Sequence, residues 1–476
     1  MQIESLEARA HDILRCIPSL RNALRPVNRL PPEILSRIAG HLLDGSALDS
    51  KSIVPLTRVC RYWRESIISA PENWTLIYPS RTNLMVLSLE RSKGVPLRLW
   101  LDNTFSDRRK LRDLITPYIQ NTETLEFFEL TTIEDFMQVL PNFPQSMPIL
   151  RSLLLEHLND ESEWDPSIDP FKSFPDTLRS LSLHEVPLYP SFLKLRTLTE
   201  LSLRYHDVHL PLDTLLNFLE ENRSLGSVEL LIGCSEFLAQ ISQHRTVVLN
   251  QLHYLWITCW DAMIGRTLVS SIPLQRGAHL EITSCSNSTG SRLNDILSDI
   301  PVTHLSNLSP TFMEYQSDFR LIRLIGPNGN FTYTRERSPG MPFAEFPVLP
   351  LANIRELRLV HNDPSIVFPP SSFPALQTLT TKCDTSISHL FSALFPDPSL
   401  FPSLKTLGFL DCIITEEFME ELAQFASSRK DTTSAWLHRV VIINQDCSFP
   451  AGASIRELRR HVLIVDVRFD TPADLI

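Results

Sequence analysis

A short phrase, leucine-x-x-leucine-x-leucine, returns along most of this 476-residue chain and constrains its fold more than any other feature. It reads LEFFEL at 125, LRSLLL at 150, LRSLSL at 178, LTELSL at 198, LGSVEL at 225 and LHYLWI at 252. Looser copies are GAHLEI at 277, IRELRL at 354, LQTLTT at 376, LKTLGF at 404 and LHRVVI at 437. Between 125 and 277 successive starts are separated by 25, 28, 20, 27, 27 and 25 residues. Successive side chains of a strand face opposite sides, so the phrase predicts a short strand with its leucines inward and the intervening residues outward. A unit of this length cannot bury its own apolar side, and a row of such units must stack.

A period of 20 to 29 residues with this phrase marks leucine-rich repeats. Helical patterns fall between the copies, as in LDTLLNFLEEN, SEFLAQISQH, SRLNDILSDI, SISHLFSALF and TEEFMEELAQFASS. One strand and one helix per unit predict a β/α horseshoe over residues 90–470. Nine residues into the full repeat an Asn or Cys can ladder to backbone; Cys285, Asn362 and Cys412 stand there. RLIRLIGPNGNFTYT, around 320–334, predicts two strands joined at Asn328-Gly329. With the Pro-rich SPGMPFAEFPVLP after it, this predicts an insertion near 320–350.

The front of the chain follows a helical period instead. Ile3, Leu6, Ala10, Ile13, Ile17, Leu20 and Leu24 share one stripe, predicting an amphipathic helix within residues 1–27 that packs on the segment after it. In RLPPEILSRIAGHLL, Pro31 and Pro32 suit a first helical turn, where an amide proton has no partner. Leu30, Ile34, Ile38 and Leu42 then recur every fourth residue beside Leu35, Ala39 and Leu43. After a polar turn, IVPLTRVCRYWRESII places Leu56, Val59, Cys60, Trp63 and Ile67 on one face of a second helix. Pro71 ends it, and Trp74 folds back.

Charge divides the chain in the same place. Residues 1–100 carry 14 Lys/Arg against 9 Asp/Glu, and the remainder 30 against 46. An acidic majority argues against sequence-independent binding of nucleic acid. No window approaches the roughly 18 consecutive apolar residues of a membrane span. The charged opening MQIESLEARAHDIL is unlike a secretory signal, and eight cysteines without a C-x-x-C pair suit reduced thiols. A cytoplasmic or nuclear protein is expected.

Chemistry-bearing motifs are scarce. The sequence holds no G-x-x-x-x-G-K-[ST], G-x-G-x-x-G or G-x-S-x-G. His206, Asp207 and His209 could seed a metal site, but a surface position explains them better. Glu416, Glu417, Glu420 and Glu421 fit the wet side of a helix whose Phe418, Leu422 and Phe425 point inward. Cys60 suits packing better than nucleophilic attack. No catalytic, cofactor-binding or metal residue is expected, and the chain is read as a non-enzyme.

The paired motifs LPPEILSRIAGHLL and VCRYWR, followed by Trp74, resemble the F-box family over residues 28–78, in the longer fungal, basidiomycete-like form with a preceding helix. VPLRLWLD at 95–102 also looks like that group. Ala39 stands where the family usually carries a large aromatic, and the turn from Leu43 to Leu56 is longer than the compact pattern. The resemblance implies a small all-α module that docks on the Skp adaptor of a cullin–RING ubiquitin ligase. By position it assigns adaptor contact to Leu30, Pro31, Ile34, Leu35 and Ile38 on the first helix, and to Val59, Cys60 and Trp63 on the second.

The expected architecture is therefore an all-α F-box followed by a β/α leucine-rich-repeat horseshoe. The expected function is a substrate receptor: the box meets the Skp adaptor and the repeats bind an unidentified target protein, with neither nucleic acid nor membrane as partner. Arg204, Glu229, Tyr254, Trp256, Glu281 and Arg358 face outward on the expected strands and are candidate target contacts; aromatic residues dominate such interfaces. A repeat scaffold unconnected to ubiquitination is the alternative, and a metal or glutamate enzyme a more distant one.

Overall fold

The computed structural model describes residues 21–22, 24–44, 53–79, 82–102, 107–130, 132–140, 145–157, 174–206, 210–233, 245–260, 262–284, 310–316, 321–335, 351–361, 373–383, 401–432, 436–443 and 452–468, with single positions at 9, 11, 14, 17, 143, 169, 171, 387, 391, 395 and 397. The chain divides into two units, residues 1–198 and 199–476.

In the first unit the expected amphipathic helix is helical at each described position from 9 to 24, and its other positions lie outside the described residues. Ile17 and Leu24 of the stripe are exposed rather than packed. A 3₁₀ turn, Pro26–Arg29, leads into helix α1, Pro32–Asp44. The Pro31 carbonyl accepts from Ile34 N–H at 3.0 Å and Leu35 N–H at 3.2 Å, so the first turn closes where the prolines place it.

The second helix is not continuous as its apolar spacing predicted. It splits into α2, Ile53–Leu56, and α3, Arg61–Ser69, with Cys60 extended at φ −161°. The cause is local competition for backbone. Thr57 Oγ1 bonds back to Val54 O at 2.8 Å, and Arg64 Nε takes the Thr57 carbonyl at 2.9 Å, an acceptor a continuing helix would need. A second 3₁₀ turn, Pro71–Trp74, follows. Trp74 folds back as expected, its Nε1–H donating to Ile67 O at 3.0 Å and its ring covered by Arg91 at 4.4 Å.

The box then runs straight into sheet. β1, Leu76–Ile77, pairs in parallel with β2, Leu97–Leu101, and α4, Thr82–Arg91, makes the crossover. β3, Thr122–Leu130, β4, Ser152–His157, and β5, Ser180–His184, extend the parallel ladder from β2. Helices α5, Arg108–Ile115, and α6, Ile133–Val139, connect β2 to β3 and β3 to β4.

Two expectations change here. The phrase at 125 is out of phase: Leu125 registers with Leu153, so Thr122, Leu125 and Phe127 point inward. Phe128, expected inside, instead lies outward against Trp100, ring centroids 5.0 Å apart. The short 20-residue repeat after β5 carries a 3₁₀ turn, Phe192–Lys194, in place of a helix. Pro187 and Pro190 interrupt helical bonding there, and a cluster of rings, Phe136, Phe143, Phe171, Tyr189 and Phe192, fills the interior.

The second unit is a larger sheet. β6, Glu200–Tyr205, β7, Ser227–Ile232, β8, Tyr254–Cys259, and β9, His279–Ser284, pair in parallel in chain order. Helix α7, Leu212–Glu221, lies between β6 and β7, and α8, Ala262–Ser271, between β8 and β9. The predicted hairpin forms as β11, Leu321–Gly326, and β12, Gly329–Arg335, with Gly329 at φ 135° after the turn.

The hairpin is no appendage, however. A further strand, β10, Phe312–Gln316, pairs antiparallel with β11 and parallel with β13, Glu356–His361, while β12 pairs parallel with β9. The spatial order is β9-β12-β11-β10-β13, so three strands splice the front of the sheet to its back in reverse chain order. Beyond β13 the parallel ladder resumes through β14, Thr378–Cys383, β15, Thr406–Leu410, β16, Arg439–Ile443, and β17, Ile464–Arg468. Helices α9, Glu416–Thr432, and α10, Gly452–His461, precede β16 and β17.

Except for β3, every copy of the phrase contains a strand that starts two residues in. Cys412 does ladder to backbone: its thiol donates to Leu410 O at 3.3 Å and lies 3.6 Å from Thr381 O on the neighbouring turn of chain. Cys285, Asn362, SEFLAQISQH, SRLNDILSDI and the Pro-rich 338–350 lie outside the described residues, as does most of SISHLFSALF. Among the described residues no helix is long and apolar enough to cross a membrane.

Candidate functional site

The apolar residues of the box fall into three groups by burial. Leu35 and Ala39 turn inward and join Ile53, Trp63, Ile67 and Trp74 in a closed core. Leu30, Ile38 and Cys60 lie half-buried at its margin. Pro31, Ile34 and Val59 remain in solvent, Ile34 at 38% and Val59 at 52% exposure. An isoleucine and a valine left in water beside a closed core are apolar area available to a partner, so these positions are the box's contact candidates. Leu35, at 0%, and Trp63 are core residues that shape the edge from beneath.

The edge is held rigid by polar bonds that the apolar spacing did not reveal. Trp63 Nε1–H donates to Asn28 Oδ1 at 2.6 Å, Asn28 donates to Asn22 O at 2.5 Å, and Tyr62 OH donates to Leu30 O at 2.6 Å. These tie the entry turn to α3. Ala39 on α1 is fully buried. On the other flank, Glu33, Ser36, Arg37, His41, Glu72 and Arg98 line a polar groove of about 640 Å³. Ser36 Oγ donates to Glu72 Oε1 at 3.0 Å there.

A second surface is the outward side of the second unit's strands. Register places Ser202, Glu229, Trp256 and Glu281 in one row across β6 to β9. Arg204 bridges back to Glu229, Nη2 to Oε1 at 2.6 Å. Tyr254 and His279 form the adjoining row, rings stacked at 5.4 Å and 10°. Tyr254 OH donates to Glu281 Oε2 at 3.3 Å, and Trp256 Nε1–H to Thr283 Oγ1 at 3.4 Å.

Burial, with the Glu281 carboxylate added, pushes the Tyr254 phenol up to about 12. Burial also holds His279 below its ordinary value, against the pull of Glu281, leaving the imidazole neutral near pH 7. Five of the six outward residues expected from sequence thus come together. Arg358 does not: on β13 it registers with Glu314, which pairs with Arg323 at 3.1 Å, beyond the spliced strands. The sequence reading does not single out His279 and Thr283, although His279 holds the same place in GAHLEI that Tyr254 holds in LHYLWI.

His206 packs edge-on to Trp260, while Asp207 and His209 lie outside the described residues. Glu416, Glu417 and Glu420 are exposed over buried Phe418, Leu422 and Phe425, and among the described residues no group of three His, Cys, Asp or Glu could hold a metal ion. One relay is chemically suggestive: Ser182 Oγ sits 3.0 Å from His184 Nε2, whose Nδ1 is 3.3 Å from Glu156 Oε2. Ser182 lies mid-strand in β5, in register with Leu154 of β4, and His184 is in register with Glu156. The relay is a polar ladder between β4 and β5.

No curated protein matches the chain. Its front does match a family: residues 27–80, the segment from the entry turn through β1 with the exposed Ile34–Val59 edge, are an F-box-like domain.

Proposed function

We propose that this protein is the substrate-recognition subunit of a Skp–cullin–F-box type ubiquitin ligase. The observation that carries the reading is the F-box-like match over 27–80 together with Ile34 and Val59 standing exposed beside a completed core. On this reading Pro31, Ile34 and Val59 meet the Skp adaptor directly. Leu30, Ile38 and Cys60 complete the contact, while Leu35 and Trp63 set its shape. The downstream strands act as leucine-rich repeats, and their outward rows hold a target protein for partner subunits that supply the catalysis, in the cytosol or nucleus.

Co-expression with a Skp adaptor tests the reading. The full chain should co-purify with the adaptor in one stoichiometric complex through size exclusion. A folded chain that never retains it refutes the ligase role and leaves a protein-binding scaffold.

A further inference from the structure

Tyr254, Trp256, His279 and Glu281 form a compact square. Tyr254 and Trp256 are two apart on β8, and their register partners on β9 are His279 and Glu281. Neighbouring strands lie about 4.8 Å apart and alternate residues about 6.6 Å, so one small group can touch all four side chains. Three corners are aromatic rings and the fourth is a carboxylate.

The charge within the square is unbalanced. Trp256 has a glutamate on each side in its row, Glu229 on β7 and Glu281 on β9. Glu229 is matched by Arg204. Glu281, with a side chain 29% exposed, meets only the Tyr254 hydroxyl and, at 3.8 Å, His279 Nε2 among the described residues. Arg323, the next cation along the face, is held by Glu314. Ring faces and a carboxylate both attract a positive charge, and Trp is the strongest such ring.

We propose that this square receives a lysine or arginine side chain, so that the protein recognises its target by a basic segment. The inference rests on the reading of the outward strand face as the target-binding surface and adds the chemistry it selects. The bound ammonium or guanidinium would lie over the Trp256 and Tyr254 rings and pair with Glu281. An acidic or purely apolar segment would leave that carboxylate desolvated without a counter-charge.

Fluorescent hexalysine and hexa-arginine peptides, titrated into the full chain at physiological salt with hexaglutamate as control, test this directly. Wild-type protein should bind both basic peptides and not the acidic one. Trp256→Ala and Glu281→Gln should each weaken binding about tenfold, and the shape-preserving Trp256→Phe less. Glu416→Gln removes the same charge from the exposed side of α9 and should change binding less than about twofold. Equal weakening by Glu416→Gln and Glu281→Gln would show a diffuse charge effect and overturn the proposal, as would the absence of binding. Adaptor capture measured on the same samples separates the two readings: its loss in wild type refutes the ligase role without touching the square.

Discussion

The box and the strands β6 to β9 treat their apolar side chains differently. Along β6 to β9, inward Leu203, Leu230, Leu255 and Ile282 are sealed, and no large hydrophobic on those strands is exposed. In the box, consecutive residues of α1 part company: Leu35 is sealed and Ile34 is left in water. A repeat unit stacks on its neighbours until its apolar side is covered. A module of about 50 residues has too little interior for all its apolar side chains, and the remainder must find a partner. Along β6 to β9 the inward apolar side is complete and in the box it is not, while on β11 and β17 Ile325 and Ile464 also stay exposed.

Substitution can break that contrast in order of size. Leu35→Asp puts an unpaired carboxylate into the sealed box core and should cost on the order of 4 kcal/mol or more. Limited proteolysis should then cut within 30–79, and survival of that segment would mean the core tolerates charge. Leu230→Ala in β7 should cost about 2–5 kcal/mol and lower the melting temperature, while adaptor capture persists. Trp63→Phe keeps the ring but loses the 2.6 Å bond to Asn28, an expected loss of about 1–2 kcal/mol in a denaturant titration.

The smallest effect concerns His279. Its folded-state proton affinity lies below the ordinary histidine value of 6.5, chiefly through burial, with Glu281 and Arg323 pulling in opposite directions and Tyr254 stacked on the ring. The unfolded chain therefore takes up this proton first as pH falls below 6.5, and stability declines from there toward the lower folded value. His279→Gln should flatten this part of the stability profile. An unchanged slope would mean the burial is not felt.

The sequence shows the two architectures plainly and their junctions poorly. Strand positions are legible because a period-two pattern of leucines has one packed solution, and the phrase finds β4 through β9 and β13 through β16 directly. The phase slip in β3 escapes notice because TETLEFFEL offers two plausible alternations. The break between α2 and α3 depends on an Arg64 bond to a carbonyl seven residues earlier, which apolar spacing does not record. Reversal of β10 to β12 is a matter of which edges meet, and no local pattern encodes that. In the box the apolar spacing marks the residues in and around the core, but it cannot separate Leu35 from Ile34, since adjacent positions on a broad apolar stripe differ only once the neighbouring helices are in place. Three corners of the aromatic square, Tyr254, Trp256 and Glu281, stand out as outward strand residues, and aligning GAHLEI with LHYLWI places His279 beside Tyr254.

The central claim is that the box is incomplete at its exposed edge. Titration of a purified Skp adaptor into the full-length chain, wild type against Ile34→Asp, tests it most directly. The account predicts unchanged melting and circular dichroism for Ile34→Asp with adaptor affinity reduced at least about a hundredfold, as for the loss of a central interface anchor. Equal affinity of the two proteins for the adaptor, or an Ile34→Asp chain that unfolds like Leu35→Asp, would contradict it.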